Sequence, residues 1–141
     1  MAFRTAQRAA IVGLTVSAAT FAAAQEKNLA IELNTAADSG GGCRLSFVAS
    51  NGTGQLLDQV SFEVFTFDDK GTVAQSLVFQ FGRFPAGKTK VVQFDLAGQA
   101  CASISRLLVN DATECAVEGK ASTACIDALT TTSRGAIDFG K

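Results

Sequence analysis

The sequence predicts an all-β protein: an antiparallel β-sandwich of about seven strands, preceded by an N-terminal export leader. Three observations carry this expectation. After residue 24, apolar and polar residues alternate with period two, the mark of strands with one buried face. Turn segments rich in Gly, Asn and Asp interrupt that alternation at spacings of about 8–15 residues. All four cysteines lie downstream of the single long uncharged apolar stretch, which sits near the N-terminus.

The leader comes first. Met1 to Arg8 holds two cations, Arg4 and Arg8, and no acid. Ala9 to Ala24 is a run of 16 residues without charge, made apolar by Ile11, Val12, Leu14, Val16 and Phe21. It ends in Ala22-Ala23-Ala24, and polarity returns at Gln25-Glu26-Lys27. This is the basic, apolar and small-residue order of a secretory signal peptide, with cleavage between Ala24 and Gln25. The small residues at −1 and −3 let a peptidase bind extended backbone. Sixteen residues fall short of the roughly 20 that span a bilayer, so no stable membrane anchor is expected after cleavage. The two arginines are not adjacent and no Cys lies near the cut, so neither a twin-arginine signal nor a lipid anchor is expected. The division is therefore residues 1–24 as signal peptide and 25–141 as one β domain, soluble and periplasmic.

The mature part has 117 residues, enough for one domain that buries roughly two thirds of its unfolded surface. Its charge is −3, ten cations against thirteen acids. A mildly acidic domain repels phosphate backbones, and Lys88-Thr-Lys90 is its one basic cluster, so a nucleic-acid partner is not expected.

The elements follow in order. Leu29, Ile31 and Leu33 alternate with Ala30, Glu32 and Asn34 in a first strand, which Ser39-Gly-Gly-Gly42 breaks. Cys43 opens a second strand with Leu45 and Phe47 inward, ended by Asn51-Gly-Thr-Gly54. In the third, Val60, Phe62 and Val64 share one face while Phe65 and Phe67 fall on the other. Either that strand is covered on both sides or a bulge shifts its phase. Asp68-Asp-Lys-Gly71 turns the chain, and Val73 begins a return strand through Leu77, Phe79 and Phe81. After Gly82-Arg-Phe-Pro-Ala-Gly87, a fifth strand carries Lys90, Val92, Phe94 and Leu96 in phase. Ile104 to Val109 is a sixth, Ile126 to Ser133 a seventh, and Ile137 and Phe139 pack the tail. A short helical turn is expected near Leu96–Ser103 or within the segment from Cys115 to Cys125. Such a series of short strands points to an immunoglobulin-like sandwich.

Cys43, Cys101, Cys115 and Cys125 are an even number in an exported chain and read as two disulfides. Sequence does not separate the three connectivities. The favoured one joins Cys115 to Cys125 around a short loop and Cys43 to Cys101 across the sandwich. Zinc is disfavoured: there is no C-x-x-C pair and no His.

Three turn elements carry a resemblance: Asn51-Gly-Thr-Gly54, Phe67-Asp-Asp-Lys-Gly71 and Pro85-Ala-Gly87. Their order is similar to that of bacterial extracytoplasmic immunoglobulin-like modules of the FxLYD-like kind, over roughly residues 43–96. The whole chain also resembles small exported alphaproteobacterial proteins. The resemblance implies an immunoglobulin-like fold and a periplasmic location, and no reaction. The cysteines and the region after Cys101 lie outside its pattern.

The absence of His excludes Ser-His-Asp and Cys-His nucleophile systems and most catalytic zinc or copper sites. Lys70, Lys88, Lys90, Lys120 and Lys141 sit in polar or turn contexts, unsuited to a desolvated Ser–Lys pair. Asp68-Asp69 is the obvious acid pair, but it lies in a turn where Asp serves the backbone. A calcium site built on Asp68, Asp69 and Asp95 lacks the D-x-D-x-D-G run. Trp and Tyr are absent, so flat sugar-binding platforms are not expected. No catalytic residue, metal or cofactor is therefore assigned.

Nine mature phenylalanines remain: Phe47, Phe62, Phe65, Phe67, Phe79, Phe81, Phe84, Phe94 and Phe139. Most belong in the core. Phe65, Phe67 or Phe84 outside it would form an apolar patch. The uncharged run Leu77-Val-Phe-Gln-Phe81 would accept a partner strand if it lies at a sheet edge. The expected function is thus a non-catalytic module mediating contacts with an unidentified protein partner in the cell envelope. The alternative is a carrier of a small apolar ligand or lipid in a Phe-lined pocket.

Overall fold

The alternating segments become strands in a computed structural model that describes residues 26–141. The expected leader and its Ala24–Gln25 cleavage site lie outside the described residues. Two sheets pack face to face as a β-sandwich. Among the described residues there are nine strands: β1 (Leu29–Ser39), β2 (Gly42–Asn51), β3 (Leu57–Phe67), β4 (Val73–Gln80), β5 (Thr89–Leu96), β6 (Arg106–Val117), β7 (Lys120–Ala121), β8 (Leu129–Ser133) and β9 (Asp138–Gly140). One sheet has the order β5-β2-β1-β8; the other runs β4-β3-β6-β7, with β9 also on β6.

The two strands beyond the expected seven are two and three residues long, too short to display alternation, and both attach to the margin of β6. The sandwich is also not wholly antiparallel: β8 runs parallel to β1, and β9 parallel to β6. The helical turn expected near Leu96–Ser103 is a 3₁₀ turn at Cys101–Ser103. The helix α1 (Ala124–Asp127) starts at the end of the Cys115–Cys125 segment and takes Ile126 from the expected seventh strand, which begins at Leu129 as β8.

Inward residues of both sheets form one core, including Ile31, Leu45, Phe47, Leu57, Val60, Phe62, Val64 and Leu107. Phe47 is its hub, with ring centroids 5.2–6.0 Å from those of Phe79, Phe81, Phe94 and Phe139 in tilted or edge-on arrangements. Phe79 and Phe94 stack at 4.3 Å, joining edge strands of the two sheets. Phe84 is fully buried, so the loop after β4 contributes to the core as well.

The Asn51 turn is held from inside. The buried Asn51 amide donates to the carbonyls of Gln55 and Phe84, each at 2.8 Å. Its oxygen accepts from the Thr53 backbone N–H at 3.1 Å and hydroxyl at 2.6 Å. A buried amide satisfied in this way fixes the β2–β3 connection against the loop before β5.

Both disulfides take the favoured pairing. Cys43 joins Cys101 with Cα atoms 4.8 Å apart, tying the start of β2 to the 3₁₀ turn. Cys115 joins Cys125 at 5.8 Å, tying β6 to α1.

Candidate interaction surface

The β3–β4 hairpin builds the surface. Asp68 caps its turn, its carboxylate accepting the backbone N–H groups of Lys70 at 2.9 Å and Thr72 at 2.8 Å. Gly71 takes φ +77°, the left-handed geometry such a turn requires. That placement assigns Asp68 to turn chemistry, and Asp95 bonds Arg44 on the far side of the other sheet at 2.7 Å. Among the described residues, no three of Asp, Glu and Cys converge as a metal-holding group.

β4 is the terminal strand of its sheet, so the uncharged run singled out by the sequence lies at a sheet edge. All eight residues, Val-Ala-Gln-Ser-Leu-Val-Phe-Gln, are uncharged, and none is Pro. Phe81 donates its N–H to the Val60 carbonyl at 2.8 Å. By strand alternation, Phe79 and Leu77 also turn their backbone toward β3. Ser76, Val78 and Gln80 then direct their N–H and C=O groups to the open edge.

The outer face beside that edge is apolar toward its Val73 end and carries Glu63 beside Val78. In register across β4, β3 and β6 lie Ser76, Phe65 and Leu108, and next to them Val73, Phe67 and Arg106. Val73 and Val78 are each 54% exposed, and Phe65, Phe67 and Leu108 are half-buried. The Arg106 guanidinium lies 5.7 Å from the Phe67 ring centroid, a cation–π contact that covers part of it. From Ser61 to Thr66 the third strand keeps its phase along β4; of the extra residues in the β3–β6 ladder, Asn110 and Thr113 belong to β6, and Asp58 of β3 precedes Val60. Phe65 and Phe67 therefore stand on the outer face; Phe84 does not.

The opposite sheet's edge, β5, differs. Lys90 points inward at its rim, donating to the carbonyls of Phe81 and, at 3.0 Å, Arg83, with its ammonium 4.4 Å from the Phe84 ring centroid. Burial first, and then the charge of Lys88, holds its amine below the ordinary lysine range. An inward charge on an edge strand discourages strand addition, and the exposed Arg44–Asp95 pair adds charge to its outer face. β4 carries no such guard.

Cavities among the described residues sit elsewhere. One of about 250 Å³ lies near the Cys43–Cys101 bridge, lined by Leu33, Cys101, Ala136 and Ile137 among others. A shallower one of about 500 Å³ follows β6 beside Cys115 and Ile126. Neither is lined by a phenylalanine. Sequence reasoning picked out Phe65, Phe67 and the Leu77–Phe81 run but not Leu108, Arg106 or Val73. Leu108 sits within the apolar triplet Leu107-Leu108-Val109, whose facing the sequence leaves open.

No protein-family model and no curated protein matches the chain. Among solved structures, it is similar to IrmA from Escherichia coli, with a TM-score of 0.60 at 11% identity over 74% of this chain and 90% of that one. At that identity the likeness concerns the sandwich fold alone.

Proposed function

We propose that the protein is an exported, periplasmic, non-catalytic β-sandwich module that mediates protein contacts by accepting an extended strand on β4. The observation that carries this reading is the uncharged, proline-free edge of β4, unpaired among the described residues and continuous with the outer patch of Phe65, Phe67, Leu108, Val73 and Val78. Backbone groups on such an edge supply affinity, and the flanking side chains supply selectivity. The leader-like N-terminus, the two disulfides and the resemblance to extracytoplasmic immunoglobulin-like modules support the envelope location. No helix among the described residues is long and apolar enough to cross a membrane.

The test uses proline, which is tolerated on an edge strand where the N–H faces away from the ladder. Val78→Pro removes an outward donor from β4. Val91→Pro does the same on β5, because the Asn51 N–H to Lys88 carbonyl bond sets Val91 facing outward there. Pull-down from an envelope extract with the mature chain should return partners that Val78→Pro loses and Val91→Pro retains. Equal recovery by both variants, with both folded by circular dichroism, would sink the β4 assignment.

A further inference from the structure

We infer that the strand accepted by β4 is β4 of a second copy of this chain, paired antiparallel about a two-fold axis through Val78; this rests on the strand-acceptor reading above. Between the irregularity at Ala74 and the end of β4, the outward-facing backbone belongs to Ser76, Val78 and Gln80, a regular stretch centred on Val78. A two-fold axis at that residue places Val78 opposite its counterpart and each Ser76 opposite the other copy's Gln80. All three positions become hydrogen-bonded pairs, and on the outer face a valine pair is flanked by two hydroxyl–amide pairs. On the inner face Leu77 comes opposite the other copy's Phe79, matching apolar residue to apolar residue.

Charge favours this occupant. No residue of β4 is ionisable, so self-pairing opposes no like charges across the new seam. The nearest acid in register is Glu63 on β3, beside Val78, where its carboxylate accepts from the Asn110 amide at 2.7 Å. Its counterpart would lie three strand spacings away, about 14 Å. That exceeds the Debye length of about 8 Å at physiological salt, so the repulsion is screened. β5 does not offer an equivalent seam, because Lys90 points inward there and Asp95 lies on its outer face. Pairing β4 with β5 of another copy is heterologous and does not close, whereas β4 with β4 is isologous and closes as a dimer.

The register makes the test specific. Residues at a hydrogen-bonded antiparallel pair have Cα atoms about 5.5 Å apart, within disulfide reach. Mature Val78→Cys, oxidised mildly, should run as a covalent dimer on a non-reducing gel, with peptide mass mapping a 78–78 link and both native bridges intact. Ser76→Cys should stay monomeric, because the two copies of residue 76 lie about 14 Å apart. Light scattering of the wild type should give twice the monomer mass, falling on dilution, while Val78→Pro and Val78→Lys give the monomer mass. Val78→Lys serves if the proline variant fails to fold. A wild type monomeric at every concentration, or equal cross-linking of both cysteine variants, overturns the self-pairing. If that monomer still captures partners in a Val78-dependent way, self-pairing falls and the strand-acceptor reading stands.

Discussion

At the scale of single residues, the tightest constraint is at Gly42. A Cβ built there would lie 2.1 Å from the Leu96 carbonyl oxygen. The obstacle is backbone, so no rotamer change relieves it and β5 would have to move away from β2. Gly42→Ala should therefore cost about 1–3 kcal/mol, the usual range for overpacking. Urea denaturation measures this, with Gly135→Ala as control; that position meets open space and should stay within about 0.5 kcal/mol of wild type. An alanine at 42 as stable as glycine would mean that the two strands lie farther apart than described. Asn51 is the polar counterpart: its amide is consumed by two carbonyls and one threonine, which gives the Asn-Gly turn a structural role. On the proposed interaction surface Val73 and Val78 are exposed, while Phe67 is held under the Arg106 guanidinium.

At the scale of elements, the bridges divide the molecule unequally. Cys43 and Cys101 are 58 residues apart in sequence, Cys115 and Cys125 only 10. The chain-entropy model assigns about 4.2 kcal/mol to the long loop and about 2.7 to the short one. Replacing Cys43 and Cys101 together by Ala should lower the urea midpoint more than replacing Cys115 and Cys125. The reverse order would show that the short bridge does more than restrict the unfolded chain, for instance by holding α1 against β6. The long strands were legible in the sequence because one face of each is buried, and the turns because Gly, Asn and Asp report backbone demands. β7 and β9 were not, since two or three residues carry no period and their positions are set by the length of β6. The facing of Phe65 and Phe67 was left between two readings, because a strand's own sequence does not tell whether its second face is covered or its phase is shifted. The edge position of β4 was equally invisible: an uncharged apolar strand reads the same in the middle of a sheet as at its margin. Sheet order decides it, and sheet order is a property of all the strands together.

At the scale of the whole molecule, the composition sets how stability responds to pH. The chain has no His, so no side chain crosses its ordinary pKa between about pH 5 and 8, and stability should be level there. On the acid side, the Asn34 amide and then Arg134 hold Glu32 below the usual carboxylate range. The Arg44 hydrogen bond does the same for Asp95. A carboxyl lowered in the folded state is protonated first in the unfolded one, so the unfolded chain binds more protons and stability falls as pH drops. The contribution of these two groups is present above about pH 4 and is lost as pH falls through their folded values. Asp95 is exposed and Glu32 is half-buried, with both partners open to solvent, so their effect is small and weakened by salt. Lys90 shares the sign at the other end. Burial lowers its amine, the unfolded state again holds the proton more tightly, and stability gains as pH rises toward the ordinary lysine range of about 10.4. Urea midpoints measured from pH 3 to 10 should therefore rise out of acid, level off, and rise again slightly in base. The double variant Glu32→Gln, Asp95→Asn should flatten the acid limb and leave the plateau and basic limb in shape. An acid limb equally steep in that variant would place the titration in other carboxyls. A steep gain in stability as pH falls from 7 to 5 would require an acid strongly raised in the folded state, and with it the ionisable site that the non-catalytic reading leaves no room for.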